Sequence, residues 1–221
     1  MSLGAESSPH ALRLAEASGE QRINIVCVGD SLTGYNNFGE PWPLPTYPDF
    51  LQGMLRSEGS PLTLVNGGQA GERSEQARAL TEWYLRLFPN SAHFIIGFGT
   101  NDLSRLDEDE VRELSPRIVD NLGAAISLAR AAGKKTMAFN VPHLNSTLFG
   151  KGTIARSRRI REYHNGNLAT YCAANQVPLA DICSMLKDEH FADGLHPNEA
   201  GAILMAEVVH AVLTVALQAD R

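Results

Sequence analysis

Five short apolar runs, rich in Val, Ile or Phe, recur along the chain with helix-length amphipathic segments between them. Each run is continuously apolar, with no strict alternation of apolar and polar residues, which is typical of strands buried on both faces. Strands of this kind form parallel sheets that are covered by helices on both sides. The runs are Ile23–Val28, Leu62–Asn66, His93–Phe98, Lys135–Asn140 and Val177–Ile182.

The segments between and after the runs predict five helices. Pro48 and Pro116 suit the first turn of a helix, where the missing N–H is harmless, and Gly59 and Gly133 suit helix exits. The alternation of strands and helices implies right-handed crossovers. We therefore expect a single three-layer, doubly wound (flavodoxin-like) α/β domain with a mainly parallel five-stranded sheet. The predicted helices cover Pro48–Glu58, Glu72–Phe88, Pro116–Ala132, Thr153–Asn175 and Asn198–Leu217.

Length, charge and cysteine content narrow the class of protein. With 221 residues and 43% hydrophobic content, one α/β domain buries a sizeable core and a second full domain is not expected. We interpret residues 1–21 as an N-terminal extension and residues 22–221 as the domain. The net charge of -6 argues against a nucleic-acid partner. The three cysteines, Cys27, Cys172 and Cys183, are expected to be free thiols.

The sequence also gives expectations about membranes and location. No stretch of the chain is expected to have the length and apolarity to span a bilayer, so we expect no integral membrane association. The first 21 residues contain no continuous apolar segment of the kind that secretory signals have, which predicts a cytoplasmic location.

Two short segments carry the groups of a nucleophilic hydrolase. Gly29–Thr33 has the sequence Gly-Asp-Ser-Leu-Thr and follows the first run directly, and Asp193–Pro197 has the sequence Asp-Gly-Leu-His-Pro. A serine hydroxyl is a poor nucleophile at neutral pH, so it needs an imidazole to take its proton and an anion to orient that imidazole. Ser31, His196 and Asp193 are these three groups. Each segment alone could equally be an ordinary turn.

Two further segments make the pattern specific. Asn66–Gly71 follows the second run with the sequence Asn-Gly-Gly-Gln-Ala-Gly, and Gly99–Asp102 follows the third with the sequence Gly-Thr-Asn-Asp. With these four segments in this order, from Gly29 to Pro197, the chain resembles the SGNH, or GDSL, hydrolase family of esterases and lipases.

The resemblance implies a role for each signature residue. Ser31 would be the nucleophile, His196 the general base and acid, and Asp193 the third member of the triad. The oxyanion would be bound by the backbone N–H groups of Ser31 and Gly71 and by the side-chain amide of Asn101. The resemblance implies a small-molecule ester as substrate and no metal, nucleotide or other cofactor.

The glycine of the oxyanion site is chosen by its surroundings. Gly67 and Gly68 lie close to Gly71 in the same segment. The flank Ala70–Ser74 lies where a loop is expected to turn into a helix, and this position favours Gly71.

The predicted topology brings these residues to one edge. In open α/β sheets the site forms beyond the carboxyl ends of the strands. Ser31, Gly71 and Asn101 each follow such an end, and the loop before the last helix must bring His196 to them. Pro197 favours an extended backbone at His196.

Other chemistries fit less well. In the α/β-hydrolase fold the nucleophile lies in a Gly-x-Ser-x-Gly elbow, whereas here the fifth position is Thr33. That fold also separates its Asp from its His by a long segment, whereas Asp193 and His196 lie in one turn. The spacing of His190, Asp193 and His196 could form a metal site of two histidines and one carboxylate. A metal site would give Ser31 no part, so the triad is preferred.

Substrate contacts are predicted from the loops around this edge. The loop after the nucleophile carries Phe38 and Trp42, and His143 follows the fourth run, so these three side chains are predicted to contact the substrate. No insertion large enough to be a lid is visible, which predicts an open groove and short-acyl esters, as in a carboxylesterase, a sugar deacetylase or a lipase-like enzyme. Leu144, Leu148 and Phe149 could instead build a longer apolar wall.

Two other functions remain open at this point. An acyltransferase would use the same triad and pass the acyl group to an alcohol or sugar. A non-catalytic flavodoxin-like binding module would need features, such as an acidic cluster with a downstream lysine, that are not well placed here. The arginines between 156 and 161 are interpreted as a solvated helix face.

Overall fold

The protein is described by a computed structural model over residues 23–34, 45–104 and 107–218. Its strands form one parallel five-stranded sheet in the order β2-β1-β3-β4-β5. This is the flavodoxin-like order, and the predicted fold class is confirmed. The strands are β1 (Ile25–Gly29), β2 (Leu64–Gly68), β3 (His93–Gly97), β4 (Lys135–Phe139) and β5 (Leu179–Ala180).

Helices connect the strands and follow the last one. Within the described residues there are seven α-helices, and short 3-10 turns lie at Ser74–Gln76 and Asp188–His190. The helices are α1 (Tyr47–Ser57), α2 (Ala77–Leu87), α3 (Thr100–Leu103), α4 (Glu108–Ala131), α5 (Lys151–Ala174), α6 (Ile182–Met185) and α7 (Glu199–Gln218).

The sheet is buried on both faces. Val26 and Val28 of β1 join one apolar cluster with α2, α4 and α5. Ile25 and Cys27 point to the other face and join a second cluster with α1, α6 and α7. Because both faces are apolar, β1 appears in the sequence as an uninterrupted apolar run.

The start of α4 differs from the prediction. Pro116 was expected in the first turn, but it lies inside a helix that begins at Glu108. The Asp107 side chain accepts hydrogen bonds from the N–H groups of Asp109 and Glu110. The Glu110 side chain in turn accepts one from the N–H of Asp107, and the two residues form a capping box. This cap starts the helix two turns earlier, and Pro116 is tolerated on an exposed face.

Other boundaries shift by smaller amounts. The helix predicted from Glu72 begins as a 3-10 turn at Ser74 and becomes α-helical at Ala77. The last strand is only two residues long. The predicted helix exits are present, because Gly59 and Gly133 both have positive φ values, of 70° and 74°, as glycines after helix ends commonly do.

The last helix corrects an expectation about membranes. By length and composition alone, α7 is long and apolar enough to cross a bilayer, with a mean hydropathy of 2.0 in its most apolar window, so the expectation that no stretch has these properties is wrong. One face of α7, which includes Met205 and Val209, packs into the core beside α1. Core helices of globular proteins pass the same test.

The register of the central strands aligns the loops that follow them. Gly29 at the end of β1 is paired with Gly68 of β2 and with Gly97 of β3. The three strands therefore end at the same level, and the loops carrying the predicted site residues start side by side.

Candidate active site

A tight turn follows β1 and presents Ser31. The carbonyl of Asp30 accepts hydrogen bonds from the N–H groups of Thr33 and Gly34 at 3.1 and 3.0 Å, and the Asp30 carboxylate accepts one from Leu32 N–H at 3.0 Å. A Cβ at Gly29 would lie 2.2 Å from Thr33 Oγ1, so only glycine fits before the turn. Ser31 is 4% exposed.

A chain of hydrogen bonds joins Ser31 to the distant Asp-Gly-Leu-His segment. Ser31 Oγ lies 3.0 Å from His196 Nε2, and His196 Nδ1 lies 2.8 Å from Asp193 Oδ2. The other carboxylate oxygen of Asp193 accepts the N–H groups of Leu195 and His196 at 2.7 and 2.6 Å. The three predicted triad residues are therefore brought together, with the carboxylate fixed by its own loop.

The surroundings of Asp193 keep it ionised. Partial burial alone would raise the pKa of its carboxyl group, but hydrogen bonds from the N–H of His196, the imidazole ring and the N–H of Leu195 outweigh it and hold the pKa below the usual range. An anion at this position can orient the imidazole and stabilise the imidazolium.

The predicted oxyanion residues lie on the neighbouring loops. Gly71 follows β2 with a φ of +84°, a conformation that favours glycine. Asn101 is the second residue of α3, and its side-chain amide donates to the carbonyl of Glu72 at 2.7 Å. This bond ties Asn101 to the residue next to Gly71 and leaves the second N–H of the amide for another acceptor.

The sequence pattern of the GDSL-like lipase/acylhydrolase family matches residues 27–203. The chain belongs to this family. Membership identifies it as a hydrolase and supports ester hydrolysis in general, as the sequence predicts. No curated protein sequence matches the chain.

Solved structures of GDSL hydrolases share the fold of this GDSL-like hydrolase. A member of the lipolytic G-D-S-L family from Veillonella parvula is 22% identical, with a TM-score of 0.64 over 87% of this chain and 98% of that one. The esterase EstA from Pseudoalteromonas sp. is 20% identical, with a TM-score of 0.67 over 88% and 98%. An acetylxylan esterase from Geobacillus stearothermophilus is 15% identical, with a TM-score of 0.64 over 87% and 96%.

A second connection in this GDSL-like hydrolase holds the loop after β2 in place. The Asp102 carboxylate accepts hydrogen bonds from Ser74 N–H at 2.9 Å and from Ser74 Oγ at 2.7 Å, and Ser74 Oγ accepts one from the Asn121 side chain at 3.0 Å. Sequence reasoning missed this contact. Its signal is Asp102 itself, the acidic residue directly after Asn101.

A small pocket opens beside Ser31 and His196. Its volume is about 10 Å³, which is room for about one water-sized group. Sequence reasoning did not identify its walls, which come from α1, α7 and the segments before them. The lining residues are Ser31, Leu32, Pro45, Thr46, Tyr47, His196, Pro197, Ala202 and Met205.

The predicted substrate contacts have different outcomes. Phe38 and Trp42 lie outside the described residues. His143 is half-buried in the segment after β4 and is not among the residues that line the pocket beside Ser31, and its contact with the substrate stays a prediction. Burial, followed by the charge of Arg158, lowers the pKa of His143, which favours the neutral ring.

The alternative metal site is not assembled. Across residues 23–34, 45–104 and 107–218, no three His, Cys, Asp or Glu side chains are grouped to hold a metal ion. His190 instead accepts a hydrogen bond from Lys187 N–H at 3.0 Å through Nδ1. The two ring nitrogens of His196 face Asp193 and Ser31.

Proposed function

We propose that this protein hydrolyses short-acyl carboxylic esters through an acyl-enzyme on Ser31. The observation that supports this most directly is the chain of contacts from Ser31 Oγ to His196 Nε2 at 3.0 Å and from His196 Nδ1 to Asp193 Oδ2 at 2.8 Å. This arrangement can generate a serine nucleophile at neutral pH.

In the acylation step, Ser31 Oγ attacks the carbonyl carbon of the ester while His196 Nε2 takes the hydroxyl proton. Asp193 stabilises the imidazolium that forms. When the tetrahedral intermediate collapses, the bond between the carbonyl carbon and the alcohol oxygen breaks. The leaving alcohol takes the proton from Nε2, and the acyl group stays on Ser31.

Deacylation repeats these steps with water as the nucleophile. His196 takes a proton from the water, which attacks the acyl carbonyl, and then returns the proton to Ser31 Oγ as the acid is released. The enzyme regains its starting state, and the net reaction is an ester and water giving an acid and an alcohol.

The oxyanion of each intermediate needs donors that are already in position. The N–H groups of Ser31 and Gly71 and the free N–H of the Asn101 amide supply them in our proposal. Because the Glu72 carbonyl holds the other amide hydrogen, Asn101 would not have to reorient when charge develops, which is what makes such donors effective.

The size of the acyl group follows from the pocket. The pocket beside Ser31 has room for about one water-sized group, so it offers little apolar wall to a long acyl chain. Each further methylene contributes its roughly 0.8 kcal/mol only if it meets apolar wall. One of the similar structures is an acetylxylan esterase, and short acyl groups on an alcohol or sugar are the substrates we propose.

Replacing the nucleophile tests this proposal. Ser31→Ala should lower kcat/KM for 4-nitrophenyl acetate by more than about 10⁴-fold with a circular dichroism spectrum like that of the parent. Ser57→Ala is the matched control, because Ser57 is an exposed helix serine whose hydroxyl donates to Met54 O, and it should keep full activity. A Ser31→Ala protein with near-parental turnover would refute the proposal.

Acyl length and acceptor are tested with the parent enzyme. We expect kcat/KM to peak between acetyl and butyryl esters, and a rate that rises steadily to dodecanoyl esters would contradict the small pocket. Added alcohols should not divert the acyl group from water, and efficient ester formation would identify an acyltransferase instead.

A further inference from the structure

A second cavity, of about 500 Å³, lies where α5 begins and is separate from the pocket beside Ser31. Three of its lining side chains are cations, and no described carboxylate lines it. Arg159 forms an ion pair with Glu108. Lys151 and Arg158 form no hydrogen bond or salt bridge with any residue of the described ranges. The lining residues are Ser146, Lys151, Ile154, Ala155, Arg158 and Arg159.

A buried arginine, Arg161, lies on the same side of α5 as two residues that line this cavity. Ile154, Arg158 and Arg161 are spaced by four and three residues, so they share one side of α5. Arg161 is 1% exposed, and its Nη1 donates to Ser157 Oγ. Its Nε and Nη2 contact no acceptor among the described residues. Burial lowers the pKa of Arg161 to about 10, which still leaves it charged at neutral pH.

His143 lies close to the same two arginines. Its Nδ1 is buried without a partner in the described part of the chain. Arg158 and Arg161 are both close enough to help lower its pKa, after the effect of burial, while Glu162 and Asp181 act in the opposite direction. Buried N–H groups and charges are costly unless an acceptor or an opposite charge satisfies them.

A carboxylate beside the cavity, that of Asp188, already has its own donors. Asp188 accepts hydrogen bonds from the backbone N–H of Ser146 at 2.6 Å and from the Ser146 hydroxyl. Arg158 acts on Asp188 only through its charge, lowering its pKa together with these hydrogen bonds. The Arg158 guanidinium therefore keeps its donors for a ligand.

The loop at this cavity also packs against the catalytic loop. Asn145 N–H donates to Gly194 O at 3.0 Å, and a Cβ at Gly194 would lie 2.5 Å from the ring of Phe149. Gly194 is between Asp193 and His196 of the candidate triad. A ligand held by this loop would therefore be coupled to the segment that carries the general base.

We propose that this cavity is an anion-binding site that takes a phosphate or carboxylate group, with Lys151 and Arg158 as its direct contacts and the charge of Arg161, on the same side of α5, adding to the attraction. The binding itself does not depend on the proposed esterase activity. The anion is either part of an acidic ester substrate or a free ion that binds beside the catalytic loop.

Binding is tested with inorganic phosphate and the full chain. At constant ionic strength set by sodium chloride, calorimetry should show saturable phosphate binding to the parent, and Arg158→Gln and Lys151→Gln should each weaken it by about tenfold or more. Arg156→Gln is the matched control, since Arg156 is an exposed arginine on the same helix that does not line the cavity, and it should bind like the parent. No saturable binding by the parent, or equal weakening in Arg156→Gln, would overturn the site.

The source of the anion is distinguished by kinetics. If the substrate carries it, the ratio of kcat/KM for an acetyl ester of glycerol phosphate to that for neutral 4-nitrophenyl acetate should fall at least about fivefold in Arg158→Gln. If a free anion binds, phosphate should change the rate on the neutral ester in the parent far more than in Arg158→Gln. Ser31→Ala should still bind phosphate, so failure of this site and failure of the proposed esterase activity give different results.

Discussion

His196 has a defined partner on each ring nitrogen, and this fixes its chemistry. The Asp193 carboxylate faces Nδ1 and can only accept a proton, so the neutral ring carries its hydrogen on Nδ1 and leaves Nε2 free to accept. Nε2 faces Ser31 Oγ. The side chain of His196 is 19% exposed and that of Asp193 is 51% exposed. The Asp193 carboxylate that orients the imidazole therefore lies at the solvent-facing edge of the site.

Asp193→Asn should therefore lower activity by changing the tautomer of the His196 imidazole. The amide can present an N–H to Nδ1, which places the imidazole hydrogen on Nε2, where it can no longer accept the serine proton. We expect kcat for acetyl esters to fall by about 10⁴-fold with little change in melting temperature, because the Asn oxygen can still accept the N–H of Leu195. A decrease of less than tenfold would show that Asp193 does not orient the base.

Asn101 is expected to act on the transition state. Removing a side-chain donor aimed at developing charge costs about 10²–10³ in turnover, so Asn101→Ala should lower kcat far more than it raises KM. Because the variant also loses the bond to Glu72 O, its melting temperature must be measured with its kinetics. Asn175→Ala, which removes an exposed bond to Tyr171 O, is the control. Altered KM with intact kcat would limit Asn101 to substrate binding.

Asp30 should make stability depend on pH. Burial, opposed by the Leu32 N–H and reinforced by the charge of Asp102, raises its pKa from 3.8 to about 7. The folded state then holds a proton that the unfolded chain has lost, so this group's contribution is full below about pH 4 and declines as pH rises to about 7.

Asp30→Asn removes this decline. The melting temperature of the variant, compared with that of the parent, should rise steadily from pH 4.5 to pH 7.5, because the uncharged amide has no proton to lose. Thermal unfolding at one-unit pH steps checks this. A difference between variant and parent that stays constant over this range would mean that Asp30 does not titrate there.

Helices α1 and α7 both contribute walls to the pocket beside Ser31, where we propose that the acyl group binds. Tyr47 begins α1, and Ala202 and Met205 lie on the buried face of α7. The loop leading into α7 also carries His196, so the proposed general base and part of the pocket wall belong to neighbouring segments. A change in the packing of α7 should therefore change specificity.

Met205→Ala should widen this pocket. The ratio of kcat/KM for butyryl to acetyl esters should rise, because the removed side chain leaves apolar wall for the added methylenes. The variant should also lose about 2–5 kcal/mol of stability, so it is compared with Met54→Ala on α1, which packs against the same core without lining the pocket. The same change in ratio in both variants would assign the effect to loosened packing.

The elements could be predicted where a single periodic signal governs them. β1, β3 and β4 are continuous apolar runs, and the structure places them within two residues of the prediction. α4 was mispositioned because Pro116 is a strong local signal, whereas the capping box of Asp107 and Glu110 depends on two side chains that meet only once the helix forms. Local sequence preferences alone do not decide between these two possible starts of the helix.

In the candidate site, too, some features could be predicted from the sequence and others could not. Ser31 and Asn101 follow strand ends, so topology alone brings them to one edge. The walls of the acyl pocket and the bond from Asp102 to Ser74 join segments whose approach depends on packing between helices and loops. The arginines between 156 and 161 are predicted to form a solvated face; Arg156, Arg158 and Arg159 are exposed, but Arg161 is buried, which charge patterning cannot reveal.

The order of the whole sheet explains why the predicted oxyanion residues lie on both sides of Ser31. β1 lies between β2 and β3, so the turn that carries Ser31 is flanked by the loop with Gly71 and by the start of α3 with Asn101. Aligned strand ends keep the three loops at one level. The fold therefore gathers residues that are far apart in sequence without a dedicated insertion.

Locating the residue that reacts with a serine-directed reagent gives the most direct test of a serine nucleophile. The parent is treated with a phosphonate that reacts with activated serines, and the modified peptide is located by mass spectrometry. A monoethylphosphonate inhibits the structurally similar Pseudoalteromonas esterase. Our account predicts one adduct, on Ser31, that is absent in Ser31→Ala. An adduct on another residue, or undiminished labelling of Ser31→Ala, would contradict it.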